Sequence, residues 1–144
     1  MNESTIKKIH WSFWLVALFA LVWNTMGTMN FAMQVTGNYP AQLPDSHRAI
    51  IEGRPVWATA GFAIGVIAGV LGALLLLLKK RAAILLFMLS LIGIIVTMVH
   101  TAKVMSSGVA FNAFEVVMMM LLPVVVAMFL VWYSRLSESK HWIT

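Results

Sequence analysis

Gly61-x3-Gly65-x3-Gly69-x2-Gly72 lies within an apolar run, Val56–Leu78, that ends at Lys79-Lys80-Arg81. Glycines three and four residues apart share one face of a helix, so this face is a groove without side chains that another helix backbone can approach closely. The run is long enough to cross a bilayer, and the basic residues mark its cytoplasmic end. We predict a membrane-spanning helix whose glycine face packs on another helix, in this chain or in a partner.

The composition also places the chain in a bilayer. Of 144 residues, 61% are apolar and 10% are charged, and the mean hydropathy is +0.90. This length allows a single domain, residues 1–144, with four spans of about 20 residues each. The net charge is +5, but the basic residues lie at the ends of apolar runs, so we expect anionic headgroups and no nucleic acid as their partners. With no cysteine, disulfides and thiolate metal sites are excluded.

Hydropathy predicts an all-α, polytopic membrane protein with helices at about 11–33, 56–78, 82–102 and 113–133 and a polar tail at 134–144. The basic start of the first helix also fits a signal peptide, but no small-x-small cleavage site follows, so we expect a retained helix. The connection at Lys79-Lys80-Arg81 is so short that the second and third helices must form an antiparallel hairpin, which gives two hairpins in all. Pro123 is the expected kink in the fourth helix.

The polar stretch 35–55 contains a predicted short helix that starts at Pro44-Asp45 and stops at Gly53. Its apolar and charged residues fall on opposite sides, which is typical of an amphipathic helix on the outer membrane face. A solvated loop with a helical turn packed on the bundle is the alternative, because the segment is shorter than most interfacial anchors.

The basic residues predict the orientation in the membrane. Seven of them flank one side and three the other, which puts both termini in the cytoplasm, with Lys79, Lys80 and Arg81 as topology anchors. The seven are Lys7, Lys8, Lys79, Lys80, Arg81, Arg135 and Lys140, and the three are Arg48, Arg54 and Lys103.

With this orientation, polar residues of all four helices fall in the outer half and could form a cluster that opens outward. They are Asn24, Thr28, Thr59, Thr97, His100, Asn112 and Glu115. His100 and Glu115 lie near helix ends, where an interfacial or structural role competes with a solute or proton site. For Asn24 and Thr28, hydrogen bonds between helices are the favoured role.

Eleven methionines raise the question of a metal. Met26, Met29 and Met33 share a helical face, and thioethers can bind Cu(I). Without cysteine or a close His-Met pair, the favoured interpretation is that methionines fill gaps between helices. We therefore expect no metal and no cofactor.

Several linked sequence blocks resemble one known family. They are Trp23-Asn24-Thr25-Met26-Gly27, Leu43-Pro44-Asp45, Arg48-Ala49, Glu52-Gly53-Arg54-Pro55-Val56-Trp57-Ala58, Gly69-Val70-Leu71-Gly72 and Lys80-Arg81. The chain thus resembles, over residues 10–100, a family of small four-helix bacterial inner-membrane proteins that are often labelled "sugar transporter". The resemblance implies a location in the bacterial inner membrane and brings no catalytic or binding residues with it.

The sequence contains no HExxH, GxSxG or glycine-rich phosphate motif and no pair of carboxylates within the spans, so we predict no catalysis. Two functions remain. One is an accessory or structural subunit that packs against a larger membrane complex. The other is an oligomeric carrier of small, sugar-like solutes. Small multidrug carriers use a glutamate in helix 1 that this chain lacks, and four helices are few to enclose a pathway, so the accessory subunit is favoured.

Overall fold

The computed structural model describes residues 8–144, and the regular structure in this part of the chain is entirely helical. The helices are α1 (Trp11–Thr36), α2 (Asp45–Glu52), α3 (Val56–Leu77), α4 (Ala82–Ser106) and α5 (Ala113–Ser139). All except α2 are long and apolar enough to cross a membrane. The predicted fold class is confirmed, and the chain is a multi-pass integral membrane protein.

The hairpin of α3 and α4 forms the centre of the bundle. α1 packs on α3, α5 packs on α4, and the short α2 lies against α4. We call the end of the bundle that carries α2 the α2 end, and the opposite end, where residues 78–81 join α3 to α4, the turn end. Each long helix therefore runs antiparallel to the next.

Three of the spanning helices continue beyond their predicted ends. α1 ends only at Thr36, because Gly37 adopts a left-handed conformation (φ 74°) and its N–H bonds to the carbonyl of Met33. α4 and α5 extend to Ser106 and Ser139. The predicted ends followed the apolar runs, whereas a helix can continue into the headgroup region until a residue that breaks it is reached.

The glycine face of α3 is covered within this chain. A Cβ atom at Gly93 of α4 would lie 2.5 Å from the carbonyl oxygen of Gly61 and 2.6 Å from the amide nitrogen of Gly65. A Cβ at Gly72 would lie 2.9 Å from the ring of Phe87. Gly69 faces α1 instead, where the side chain of Asn24 occupies the space that a Cβ would need. The groove therefore contacts α4 at Gly61, Gly65 and Gly72, and the amide side chain of Asn24 in α1 at Gly69.

The C-terminal residues do not form the polar tail that the sequence predicts. Ile143 is only 3% exposed and joins the core at the turn end, where Trp142 packs edge-on against Phe13 at 6.0 Å. Thr144 bonds through its backbone to both sides of the α3–α4 turn: its N–H donates to the carbonyl of Lys79 at 2.9 Å and its carbonyl accepts from the N–H of Arg81 at 3.0 Å. The polar-tail prediction is wrong because Ile143 is buried, and an average of hydropathy over the segment does not show the burial of a single apolar residue.

The helix around Pro123 adjusts without being interrupted. The turn Val117–Leu121, which ends one residue short of this proline, is π-helical. Pro123 has no N–H to donate, and its ring would clash with the carbonyl four residues earlier in a regular α-helix. The wider turn makes room for the proline ring and for the carbonyl that has lost its donor. The irregularity that the sequence predicts at Pro123 is thus a π-helical turn.

Candidate functional site

Polar side chains from α2 and α5 meet at the α2 end around Glu115. One carboxylate oxygen of Glu115 accepts from the backbone N–H of Asn112 at 3.0 Å, and Asn112 in turn accepts from the N–H of Glu115 at 2.8 Å. This reciprocal pair is a capping box at the start of α5. The other carboxylate oxygen accepts from the hydroxyl of Ser46 at 2.9 Å and lies 3.9 Å from Nδ1 of His47. Glu115 thus caps its own helix and fixes α2.

A second contact joins α2 to α4. His100 is 5% exposed, and its Nε2–H donates at 3.1 Å to the carbonyl of Ile50, which lies in the last turn of α2. Trp57 meets the His100 ring edge-on at 6.3 Å, and the ammonium of Lys103 lies 5.3 Å from the centre of the Trp57 ring. His100 therefore satisfies a carbonyl that would otherwise lack a partner at a helix end.

Arg54 connects the segment after α2 to α1. Its guanidinium donates to the side-chain oxygen of Gln34 and lies 5.1 Å from the centre of the Phe62 ring. Burial lowers the pKa of Arg54 from its ordinary value, but an arginine remains charged in proteins at any physiological pH. The segment between α1 and α3 is therefore attached to all four spanning helices, as in the packed alternative of the sequence analysis.

The structure does not bring the seven predicted polar residues into one cluster. Only His100, Asn112 and Glu115 take part in holding α2. The hydroxyl of Thr97 donates to the carbonyls of Gly93 and Ala58, at 3.1 and 3.4 Å. Those of Thr28 and Thr59 bond to carbonyls of their own helices, four residues earlier.

Asn24 is buried in the bundle but does not join the residues that hold α2. Because α1 extends to Thr36, Asn24 falls at the middle of the helix, and its amide donates to the carbonyl of Ala20 at 2.8 Å. Its side chain also lines a narrow cleft between α1, α4 and α5, together with Ser90 and Pro123. The hydroxyl of Ser90 is held by the carbonyl of Gly65 at 2.5 Å. This cleft has a volume of about 10 Å³, enough for about one water molecule.

The predicted topology anchors lie exposed at the turn end. Lys79 takes a left-handed conformation (φ 58°) that closes the α3–α4 turn, and its ammonium lies 5.7 Å from the centre of the Trp14 ring. Lys80 is exposed beside it. Arg81 forms an ion pair with Glu138 of α5. The turn is thus fixed to α1 on one side and to α5 on the other.

The methionines of α1 do not fill gaps between helices of this chain. Met26, Met29 and Met33 are 63%, 61% and 41% exposed on the outside of the bundle. Among the residues that the structure describes, His, Asp and Glu form no group of three that could hold a metal ion. On this outer surface they lie beside the exposed side chains of Thr25 and Asn30.

Sequence reasoning missed Ser46, His47 and Glu138 as contacts of the bundle ends. The bonds between Asn112 and Glu115 could have been predicted, because Asn112-x-x-Glu115 before an apolar run is typical of a capping box. The partners of Glu115 in α2 could not be predicted in this way, since Ser46 lies 69 residues earlier in the chain. No family model, curated protein or solved structure matches this chain. Its class, a small multi-pass membrane protein, therefore follows from the fold and its contacts.

Replacing Glu115 with alanine is expected to release α2 from α5. The change removes half of the capping box and the acceptor of Ser46, which together stabilise by about 1–2 kcal/mol. Because the chain has no cysteine, Ile50→Cys introduces a single thiol at a buried position of α2. Its labelling by a water-soluble maleimide should become several-fold faster in the Glu115→Ala background.

Glu52→Ala is the matched control, since it removes an exposed carboxylate from the same end of the bundle. It should leave the labelling rate of the Ile50→Cys thiol unchanged. Equal rates in the Glu115→Ala and Glu52→Ala backgrounds would mean that Glu115 does not hold α2.

Proposed function

We propose that this protein is an accessory subunit that packs against a larger membrane complex through the exposed face of α1. Polar and flexible side chains lie side by side on this face, which points away from the bundle. It consists of Thr25, Met26, Met29, Asn30 and Met33, and all five are exposed. We call it the α1 outer face.

The observation that carries the proposal is the depth of Thr25. At about 1.5 Å per residue, Thr25 lies roughly 2 Å from the midpoint of α1, and Asn30 roughly 10 Å, both within the ~15 Å half-thickness of the hydrocarbon. Within residues 8–144, the hydroxyl of Thr25 makes no hydrogen bond, and Asn30 only accepts one, from Gln34 at 3.1 Å. Polar groups that face lipid at this depth are costly. A neighbouring helix with complementary polar groups would satisfy them.

The methionines fit the same role. An unbranched, polarisable side chain adapts to irregular surfaces, and methionine is common on surfaces that bind other proteins. Three of them around Thr25 and Asn30 give the α1 outer face an adaptable apolar border. The glycine groove of α3, by contrast, is already occupied by α4 and Asn24 and offers no room to a partner.

We further propose that the membrane is the bacterial inner membrane and that the turn end faces the cytoplasm. The excess of basic residues flanking the turn end supports this orientation, and the family resemblance supports the location. Single cysteines at Lys80 and His47, labelled in intact cells, test it: labelling should occur at His47 alone. Labelling of the cysteine at Lys80 alone would mean that the turn end faces the outside of the cell and that the proposed orientation is wrong.

An oligomeric carrier of small solutes remains the second candidate function, supported by the cleft that Asn24 and Ser90 line between α1 and α5. The cleft's volume of about 10 Å³ is far below the roughly 300 Å³ of a small-molecule site. A carrier would therefore have to widen this cleft or complete it with a second copy.

Purification in mild detergent from native membranes tests the accessory function. We expect a larger complex in which the α1 outer face is covered, so Met29→Trp should prevent its recovery. Ile95→Trp is the matched control, because it places the same bulky ring on an exposed position of α4. It should leave the complex intact.

Three results would contradict the accessory function: loss of the complex in both variants, loss in neither, or recovery of a homo-oligomer alone. If such a homo-oligomer also moved sugars into vesicles and lost this flux on Asn24→Ala, the carrier would be the better description.

A further inference from the structure

A groove opens between α4 and α5 at the turn end, on the outside of the bundle. Its volume is about 470 Å³, within the range of small-molecule sites. It is lined by Arg81, Ile84, Leu85, Met88, Arg135 and Glu138. Charged and apolar walls therefore meet in one groove, at the level where the helices leave the hydrocarbon.

The charged wall is basic and only partly neutralised. Glu138 forms an ion pair with Arg81, which leaves Arg135 as a second guanidinium in the same groove. The only side-chain hydrogen bond of Arg135 within the described residues goes to the sulfur of Met88 at 3.8 Å, and a thioether is a weak acceptor. Lys79, Lys80 and Lys140 lie at the same end. The guanidinium of Arg135 thus has N–H groups free to donate, and it is surrounded by other positive charges. Such a group is well suited to bind a phosphate.

The apolar wall extends from this charge toward the middle of the bundle. Leu85 is 62% exposed and Met88 36%, one and two turns further along α4 than Arg81. Trp132, one turn before Arg135 in α5, is 58% exposed, and tryptophan is enriched at the level of the headgroups. A soluble anion would make no use of this apolar surface, whereas an acyl chain would cover it.

We infer that this groove binds an anionic phospholipid, with the phosphate at Arg135 and Arg81 and an acyl chain along Leu85 and Met88. Basic pockets between helices at the cytoplasmic surface are a known mode of lipid recognition. The site is independent of the α1 outer face, so it stands whether or not the accessory function is correct. The carboxylate of Glu138 competes with the phosphate for Arg81, so removing the charge of Glu138 should strengthen lipid binding.

Binding is measured with dioleoyl phosphatidylglycerol added to the full chain in a neutral detergent, by native mass spectrometry and by thermal unfolding. We expect one retained lipid and a higher unfolding temperature than with dioleoyl phosphatidylcholine. Arg135→Gln should weaken phosphatidylglycerol binding about tenfold, the effect of losing a charged hydrogen-bonding partner. Lys140→Gln removes the same charge from the same end outside the groove and should change binding less than twofold.

Glu138→Gln should change the lipid affinity in the opposite direction from Arg135→Gln, and a misfolded protein would not bind the lipid more tightly. Freeing Arg81 should tighten phosphatidylglycerol binding several-fold, while Glu52→Gln, at the α2 end, should not change it. Equal losses in Arg135→Gln and Lys140→Gln would overturn the inference in favour of diffuse attraction. So would equal binding of the two lipids, weaker binding in Glu138→Gln, or displacement of the lipid by millimolar glycerol 3-phosphate.

Discussion

Gly93→Ala is expected to lower the free energy of unfolding by about 1–3 kcal/mol, the usual cost of overpacking. The atoms nearest to the added methyl group are backbone atoms, the carbonyl oxygen of Gly61 and the amide nitrogen of Gly65, at 2.5 and 2.6 Å. Backbone cannot rotate away as a side chain can, so α3 and α4 would have to separate. The higher helix propensity of alanine, up to about 1 kcal/mol in water, offsets only part of this cost.

The measurement is thermal or denaturant unfolding in a mild detergent, followed by circular dichroism. Gly27→Ala is the matched control, because its methyl group would meet only side-chain atoms of Val66, at 3.1 Å, a contact that a shift of a few tenths of an ångström relieves. It should be close to neutral. If both variants unfolded at the temperature of the wild type, the close approach of α3 to α4 would not be a source of stability.

Ile143→Ala is expected to destabilise the turn end by about 2–5 kcal/mol, the range for truncating a buried isoleucine to alanine. Ile143 shares the core with Phe13, and its neighbours Trp142 and Thr144 contact α1 and the α3–α4 turn. Losing it should therefore loosen the contacts of the C-terminal residues with both α1 and the α3–α4 turn. Unfolding in detergent gives the magnitude, and limited proteolysis should cut after Lys140 in the variant but not in the wild type.

His141→Asn is the control for this region, since His141 is exposed and its left-handed backbone (φ 57°) also suits asparagine. It should leave both the unfolding temperature and the proteolytic pattern unchanged. Wild-type behaviour of Ile143→Ala would mean that the C-terminal residues lie against the bundle without stabilising it.

The sequence predicted the membrane helices well because long apolar runs and flanking charge are local signals. It identified Gly61 and Gly65 as a packing face for the same reason. It could not show that Gly93 lies opposite them, because the register between α3 and α4 depends on how the hairpin closes in three dimensions. The same limit applies to Ser46 and Glu115, whose contact joins distant parts of the chain.

Local patterns also suggested a polar cluster that the structure does not contain. Asn24 was grouped with His100 and Glu115 because the predicted direction of each helix places all three in the outer half of the bundle. In the structure, Asn24 lies near the midpoint of α1 and donates to the carbonyl of Ala20 in its own helix, whereas His100 and Glu115 bond to α2. Lying in the same half of the bundle does not bring side chains together, because contacts between helices depend on their rotation and packing, which local patterns do not contain.

The π-helical turn before Pro123 has a consequence for comparing this chain with others. Such a turn accommodates one residue more than an α-helical turn between the same two flanking segments. A relative with one residue fewer in the stretch Val117–Leu121 could keep both the Asn112–Glu115 capping box and the buried residues of the last turns in place. An alignment of α5 should therefore allow a one-residue gap at this position, in the middle of a membrane helix where gaps are normally penalised.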